Sequence, residues 1–419
     1  MRPATLVAYR AFSDLASKGS FFLITVVAAH RLSIQAFGIF SLASAFGWIV
    51  GVTTDFGIQL HVARAVARRP GDSAGILRTW LRMRLWTAGA AAAVIAAGVL
   101  VLAPDGDYAV PILLFALVYI GGGLIEFLHY FYRGLARSDL ESLLTLWQRA
   151  ATLGCALIAL AWRPDPTVLA TAMLLPVVAT FLLSARVATR LGREATERVV
   201  APPPAARQRL LSEFQRDVLP IGAGIVLSAL YFRIDVFLVQ LWSGASAVAL
   251  YNAVFRLVEA LRLFPAAVLA VALPSLFQTR DTRLLLQVSV GLTAFAVATS
   301  LVLWATADWG IRFLYGAPYA AAVPAFRILI LSFPLLSLNY ALTHQLIGWD
   351  GQRAYATVCG VALLANIGMN AKLIPAFSIE GAAWAMFWTE ALLTAGCGFA
   401  LWQNSTRRLA SGRTAPAVS

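Results

Sequence analysis

Apolar runs about as long as a bilayer is thick recur along the whole chain, and no other feature constrains the fold so tightly. Twelve of them cover approximately residues 9–31, 38–62, 83–103, 109–132, 143–162, 166–187, 217–242, 247–276, 284–314, 320–346, 354–374 and 379–402. A helix needs about 17–25 predominantly apolar residues to cross the hydrocarbon core. With no water there, every backbone N–H and C=O must be satisfied internally, so runs of this length read as helices. Composition agrees: 60% of the 419 residues are hydrophobic and 13% charged, against roughly 45–50% and about 25% in soluble domains. The expected fold is an all-α polytopic membrane protein with twelve transmembrane helices. FFLITVVAA after Lys18 has the length of a signal-peptide core, but eleven further runs favour a retained first helix.

Loop charge sets the orientation. With the N-terminus in the cytoplasm, 23 loop arginines fall on the cytoplasmic side, including Arg64, Arg68, Arg69, Arg78, Arg82 and Arg84 after the second run. The other side receives Arg31, Arg163, Arg312 and Lys372. Such asymmetry follows the positive-inside rule and puts both termini in the cytoplasm. The net charge of +13 then reports topology and not a nucleic-acid footprint, and no nucleic-acid partner is expected.

The longest cytoplasmic connection, 188–216, contains APPPAARQRL at 201–210. Proline-rich and charged, it reads as a linker between two six-helix halves. The expected layout is an N-terminal lobe over 1–187, the linker, a C-terminal lobe over 217–402 and a cytoplasmic tail over 403–419. HRLSIQAFGIFSLASAF (30–46) aligns with LWSGASAVALYNAVFRL (241–257), each setting a loop before the second helix of its half. An even number of spans per half gives both halves the same orientation. Repeats of that kind are related by an axis along the membrane normal, with substrate held between them near mid-depth. Pro176, Pro265, Pro274, Pro334 and the glycines of YIGGGLIEF at 119–127 admit two readings, helix packing or flexing during transport.

Several function classes lack their residues. There is no GxxxxGK[ST] for nucleotide phosphates. His30, His61, His129 and His344 have no ligand spacing, and Cys155, Cys359 and Cys397 fall in apolar runs without a CxxC. Outward loops of about 3–10 residues are too short for a folded catalytic domain. Neither an enzyme nor a bound cofactor or metal is expected.

Twelve ionisable residues lie inside the runs: Asp14, Lys18, Asp55, Glu126, Arg149, Arg233, Asp235, Arg256, Glu259, Arg262, Arg327 and Glu390. A charge facing lipid at mid-helix costs about 2.5–3.5 kcal/mol, so these should face the bundle interior or water. In YNAVFRLVEALRLFP (251–265), Asn252, Arg256 and Glu259 share one face with Arg262 at its flank. That stripe either lines a watery cavity or closes into i,i+3 ion pairs. Arg233 and Asp235 are two apart, so they point in nearly opposite directions and each needs its own partner. Arg233 and Arg256 both lie about 13–14 Å below the outer helix ends. At a shared depth they could grip a phosphate or diphosphate through bidentate guanidinium contacts. Asp235, Glu259 and Asp55 are candidates for proton or sodium coupling.

YFRIDVFLV (231–239), ALYNAVFRLVEAL through VALPSL (249–276), NIGMNAKLIPAFSIEGAAWA (366–385) and RLSIQAFGIFSLASA with TTDFG (31–57) together carry a family resemblance. The chain resembles the oligosaccharide flippases of bacterial polysaccharide export, in the superfamily that includes MATE-type multidrug exporters. The resemblance implies a MATE-like arrangement in the bacterial inner membrane. It also implies translocation of an undecaprenyl-diphosphate-linked oligosaccharide, as for O-antigen, by alternating access through a cationic cavity. Carried onto this chain, the cavity residues are Arg233 and Arg256, then Arg262, Lys18, Arg327 and Asn252. The implied partners are the lipid-linked oligosaccharide and membrane lipids, with polysaccharide polymerase or ligase machinery as candidate protein partners. A cation-coupled drug or metabolite exporter is the alternative.

Overall fold

The structure is a computed structural model that describes residues 3–102, 107–197, 219–269, 282–348 and 351–410. Among them all regular structure is helical, and nine helical segments are long and apolar enough to cross a membrane. The chain forms two compact units, Met1–Arg233 and Ile234–Ser419.

The first unit holds α1 (Pro3–Arg31), α2 (Ile34–Asp55), α3 (Ile58–Arg68), α4 (Ser73–Leu102), α5 (Ala109–Gly134), α6 (Ser138–Trp162) and α7 (Pro166–Glu197). It also holds the start of α8 (Leu219–Leu261). At the centre is α5, which packs on α2, α3, α4, α6 and α7. Its contact with α2 is close because α2 offers glycines there. A Cβ on Gly47 would stand 2.7 Å from the Phe115 carbonyl oxygen, and one on Gly51 would stand 3.2 Å from that of Tyr119. Small residues four apart let membrane helices approach this closely. The glycines of 119–127 lie in α5, where Gly121 meets Val177 of α7 and Gly123 faces Arg84 of α4. By contrast α6 turns Leu143, Trp147, Ile158 and Trp162 outward, a stripe suited to hydrocarbon.

The expected run 38–62 is not one helix. α2 stops at Asp55, and Phe56 (φ 47°) and Gly57 (φ 78°) turn the chain through the left-handed region. A side-chain-bearing residue in that region costs about 1–2 kcal/mol. Two contacts hold the turn: Phe56 N–H donates to the Val52 carbonyl at 3.1 Å, and Gly57 N–H to the Asp55 carboxylate at 3.2 Å. Beyond it, α3 buries Ile58, His61, Val62, Ala65 and Val66 and exposes Arg64 and Arg68, an amphipathic period of 3.6.

The second unit contains the rest of α8, then α9 (Thr282–Ala305), α10 (Ala307–Tyr315), a 3₁₀ segment (Ala317–Ala322), α11 (Val323–Leu331), α12 (Phe333–Gly348) and α13 (Gln352–Ala410). Two helices break internally. α8 breaks at Gly244 (φ 79°, ψ −180°), between the expected runs 217–242 and 247–276. That conformation is essentially open only to glycine. α13 breaks at Ser378 (φ 49°), three residues after Pro375, between the expected runs 354–374 and 379–402.

Two expected runs divide further. As one helix, 284–314 would be about 46 Å long, against a hydrocarbon core of about 30 Å. It ends instead at Ala305, and α10 follows Thr306. The run 320–346 is interrupted at Ser332, whose N–H (3.0 Å) and hydroxyl (2.6 Å) both donate to the Leu329 carbonyl. Pro334 then sits in the first turn of α12, where its missing N–H costs nothing. Pro176 lies within α7 and Pro265 within the helical stretch 263–269; Pro274 lies outside the described residues. Residues 188–197 of the expected linker continue α7, and its remainder also lies outside the described residues.

Candidate functional site

In the first unit the interior charges form a row across four helices. Asp55 ends α2, and its carboxylate lies 3.6 Å from the Arg84 guanidinium of α4. Arg84 also donates to the Thr54 carbonyl, so it caps the end of α2 as well as neutralising Asp55. Glu126 of α5 acts electrostatically on Arg84, and Arg149 of α6 on Glu126. Tyr119, nearly two turns before Glu126 on α5, lies in the field of Arg149.

Arg84 was expected among the cytoplasmic loop arginines. The structure corrects this: Arg84 is 0% exposed. A signal for it existed, since Leu77, Trp80, Arg84 and Ala88 follow helical spacing and all four are buried. Room for its guanidinium comes from Gly123, where a Cβ would stand 3.3 Å from a terminal nitrogen.

Glu126 presents to open space even though α5 is packed by five helices. One turn before it, Gly122 has nothing within 4 Å of where a Cβ would be. The Glu126 carboxylate is therefore exposed on the Gly122 face of α5. Across from it, Arg149 is half-buried midway along α6. Among the described residues no carboxylate lies within ion-pair distance of Arg149, and its Nε is buried without a hydrogen-bond partner. A guanidinium so placed can accept a bidentate anion.

Below this row, Arg133 forms a bidentate pair with Glu141 (2.9 and 2.8 Å to Nε) and stacks 4.0 Å over Tyr130. These contacts tie α5 to α6 across their turn. Arg233 closes the first unit from α8, buried, with its guanidinium 5.3 Å from the Phe232 ring and 5.9 Å from that of Trp48. Trp48 and Phe232 meet edge to face at 6.3 Å. The side chains of Asp14 and Lys18, on α1, lie outside the described residues.

In the second unit Asp235 is buried. It accepts a hydrogen bond from Val236 N–H at 2.8 Å and another from the Tyr251 hydroxyl. Arg233 and Asp235 thus have separate surroundings, as their spacing requires. One turn beyond Tyr251, Arg256 donates to Glu259 at 2.6 Å, an i,i+3 pair along the helix. The polar stripe of 251–265 therefore contains a closed pair, with Asn252 buried beside it. The Tyr315 ring of α10 lies in the field of Arg256. Arg262 follows at the turn ending α8, 5.3 Å over the Tyr340 ring of α12. Arg327 sits apart from these, 5.0 Å over the exposed Trp304 ring, with its Nε 3.4 Å from the Trp304 carbonyl.

A polar lattice that sequence reasoning left unassigned joins α12 to both halves of α13. The Asn339 amide donates to the Glu390 carboxylate (2.7 Å) and carbonyl (3.0 Å), and its oxygen accepts from Thr394 (2.9 Å). Asn370 donates to Asn366 (2.8 Å), which donates to Thr389 (3.1 Å). Its signal was the i,i+4 spacing of Asn366 with Asn370 and of Glu390 with Thr394.

A family model described as polysaccharide biosynthesis protein matches residues 7–280. The chain belongs to that family. No curated protein matches it by sequence. Among solved structures it is similar to an inward-facing multidrug resistance MATE family transporter of the MOP superfamily (15% identity, 94% of each chain, TM-score 0.71). It is also similar to the lipid II flippase MurJ in an inward closed conformation (11% identity, 94% of this chain and 87% of that one, TM-score 0.68). A third is a MOP superfamily transporter from Pyrococcus furiosus (13% identity, 98% of this chain and 96% of that one, TM-score 0.58). The polysaccharide biosynthesis chain thus has the fold shared by MATE transporters and MurJ, in a multi-pass membrane protein.

Proposed function

We propose that this protein flips an undecaprenyl-diphosphate-linked oligosaccharide across the bacterial cytoplasmic membrane during synthesis of a surface polysaccharide such as O-antigen. The observation that carries the reading is the family match on a fold shared with a lipid II flippase. Interior arginines midway along membrane-crossing helices support it. The twelve crossings proposed here take the segments broken at Gly244 and Ser378 as two each and α1 as one more, beside the other seven of the nine candidate segments. The loop arginines favour cytoplasmic termini, and the two lobes are taken as 1–187 and 217–402 around a linker.

Alternating access then moves the polar head past a cationic lining of Arg233, Arg256, Arg262 and Lys18, with Asn252 among them, and Arg149 of the first unit, unpaired among the described residues, is a further candidate. A guanidinium fork suits the diphosphate. For Arg256 the anion must compete with Glu259, so binding there requires that pair to open. Asp235, Glu259 and Asp55 are the candidate ion-coupling groups. Because they are engaged by Tyr251, Arg256 and Arg84, a coupling ion would have to displace those partners. The MATE-like fold supports one alternative, a cation-coupled exporter using the same carboxylates.

The test is deletion and complementation. Without the gene, lipid-linked repeat units should accumulate facing the cytoplasm and one surface glycan should disappear. Intact labelling of every surface glycan on deletion cells rejects the flippase. A shift in resistance to cationic drugs on overexpression favours the exporter.

A further inference from the structure

We infer that α10 lies flat in the headgroup boundary of the membrane as an interfacial anchor, and that Arg327 beside it holds the phosphate of a phospholipid. The helix carries three stripes of different chemistry. Ala307, Ile311 and Tyr315 are buried against the protein. Asp308 and Arg312 form an exposed i,i+4 ion pair at 2.9 Å. Trp309 and Phe313 stack with ring centroids 5.4 Å apart and planes 9° off parallel, and each is 69% exposed.

At about 100° per residue the aromatic stripe points about 180° away from the buried one, and the ion pair sits near a right angle to both. A helix on a watery surface turns polar residues away from the protein. This one turns a tryptophan and a phenylalanine outward, with an ion pair to one side. The surroundings must therefore be apolar laterally and aqueous above, as at the edge of a bilayer. Tryptophan is enriched at that boundary, and amphipathic helices lie there with their apolar face about 5–10 Å into the headgroup–acyl region.

The occupant follows from continuity. α9 exposes Leu286, Val290, Val297, Leu301 and Val302 along its length, then Trp304 in its last turn. Trp309 and Phe313 prolong this lipid-facing band in sequence and in chemistry. Arg327, on α11, which packs on α10, spreads over the Trp304 ring and directs its Nε at the Trp304 carbonyl. Among the described residues no carboxylate pairs with it, which leaves its terminal amino groups for a lipid phosphate. Arg327 thereby moves from the proposed transport path to the lipid boundary.

The experiment places a nitroxide at Phe313→Cys or Asp308→Cys in the full chain, on a Cys155→Ala background. Cys359 and Cys397 are buried. The protein is reconstituted in vesicles of phosphatidylethanolamine and phosphatidylglycerol. The expected result is a Phe313 label that oxygen relaxes more than a water-soluble nickel chelate does, at a depth of about 5–10 Å. The Asp308 label should show the reverse. A Trp309→Cys label gives an independent reading should the Phe313 variant fail to fold. Equal nickel accessibility at position 313 and at the exposed loop position Asp107→Cys overturns the inference, as does shielding of the label from both reagents, which would mean a protein partner. Arg327→Gln should move the Phe313 label toward the aqueous value and Arg327→Lys should not. An unchanged depth in Arg327→Gln overturns the phosphate contact.

Discussion

Arg84 stands between two carboxylates, so its removal should cost more than removal of either neighbour. At the observed 3.6 Å and an effective dielectric of about 20, the Asp55–Arg84 attraction is about 4.6 kcal/mol before desolvation is counted. Breaking one side of a buried pair costs about 3–5 kcal/mol, because the other charge is left uncompensated. Arg84→Met also deprives the Thr54 carbonyl of a charged donor, worth about 1.5–3 kcal/mol. It further leaves Asp55 and Glu126 facing each other as like charges. Asp55→Asn is milder, because Glu126 still offsets Arg84. The double variant removes both members and should cost less than the sum of the single variants by about 3–5 kcal/mol. Equilibrium unfolding in mixed micelles titrated with dodecyl sulfate, followed by tryptophan fluorescence and circular dichroism, reads all four corners of the cycle. Losses that add to within about 0.5 kcal/mol would show the pair to be uncoupled. A costlier Asp55→Asn would show that Glu126 does not share Arg84.

Three further outcomes are expected. Arg149→Ala should reduce glycan export in complemented cells at unchanged protein level, with Arg149→Lys restoring only part, since a point charge lacks the fork; full export by Arg149→Ala removes it from the path. Tyr251→Phe deprives the buried Asp235 of its hydroxyl donor and should destabilise the protein by about 1–3 kcal/mol, measured by the same unfolding titration. Gly47→Ala should cost about 1–3 kcal/mol from overpacking against the Phe115 carbonyl and Gly244→Ala about 1–3 kcal/mol from backbone strain, whereas Gly122→Ala, with open space around it, should cost nothing.

The apolar runs announced the helices because length and hydropathy alone decide whether a segment can cross lipid. The breaks at Gly244 and Ser378 fell where the runs paused, since a pause in hydropathy marks the bilayer surface. What the runs hid was breakage inside apolar stretches. Phe56–Gly57, Thr306 and Ser332 interrupt helices through local backbone turns, with hydrogen bonds to Val52, Val302 and Leu329, that hydropathy does not register. The charges behaved in the same way. Arg233 and Asp235 were legible as separately housed, because a two-residue offset forbids one pair. Arg84 was not, because its position at the head of an apolar run looks like a loop anchor until Asp55 and Gly123 are brought to it from other helices. Arg256 and Glu259 show the limit of a stripe: spacing put them on one face, while their 2.6 Å contact in the folded chain decides for a closed pair over an open lining.

The Arg84 corner also bears on how this sequence can change over time. Guanidinium, carboxylate and the bare α-carbon of Gly123 fill one volume drawn from three helices, so no one of them can be exchanged alone without cost. Relatives that have lost the arginine should have refilled position 123 with a larger side chain and discharged position 55 in the same lineage. The order of those replacements, charge before bulk, is set by the space available.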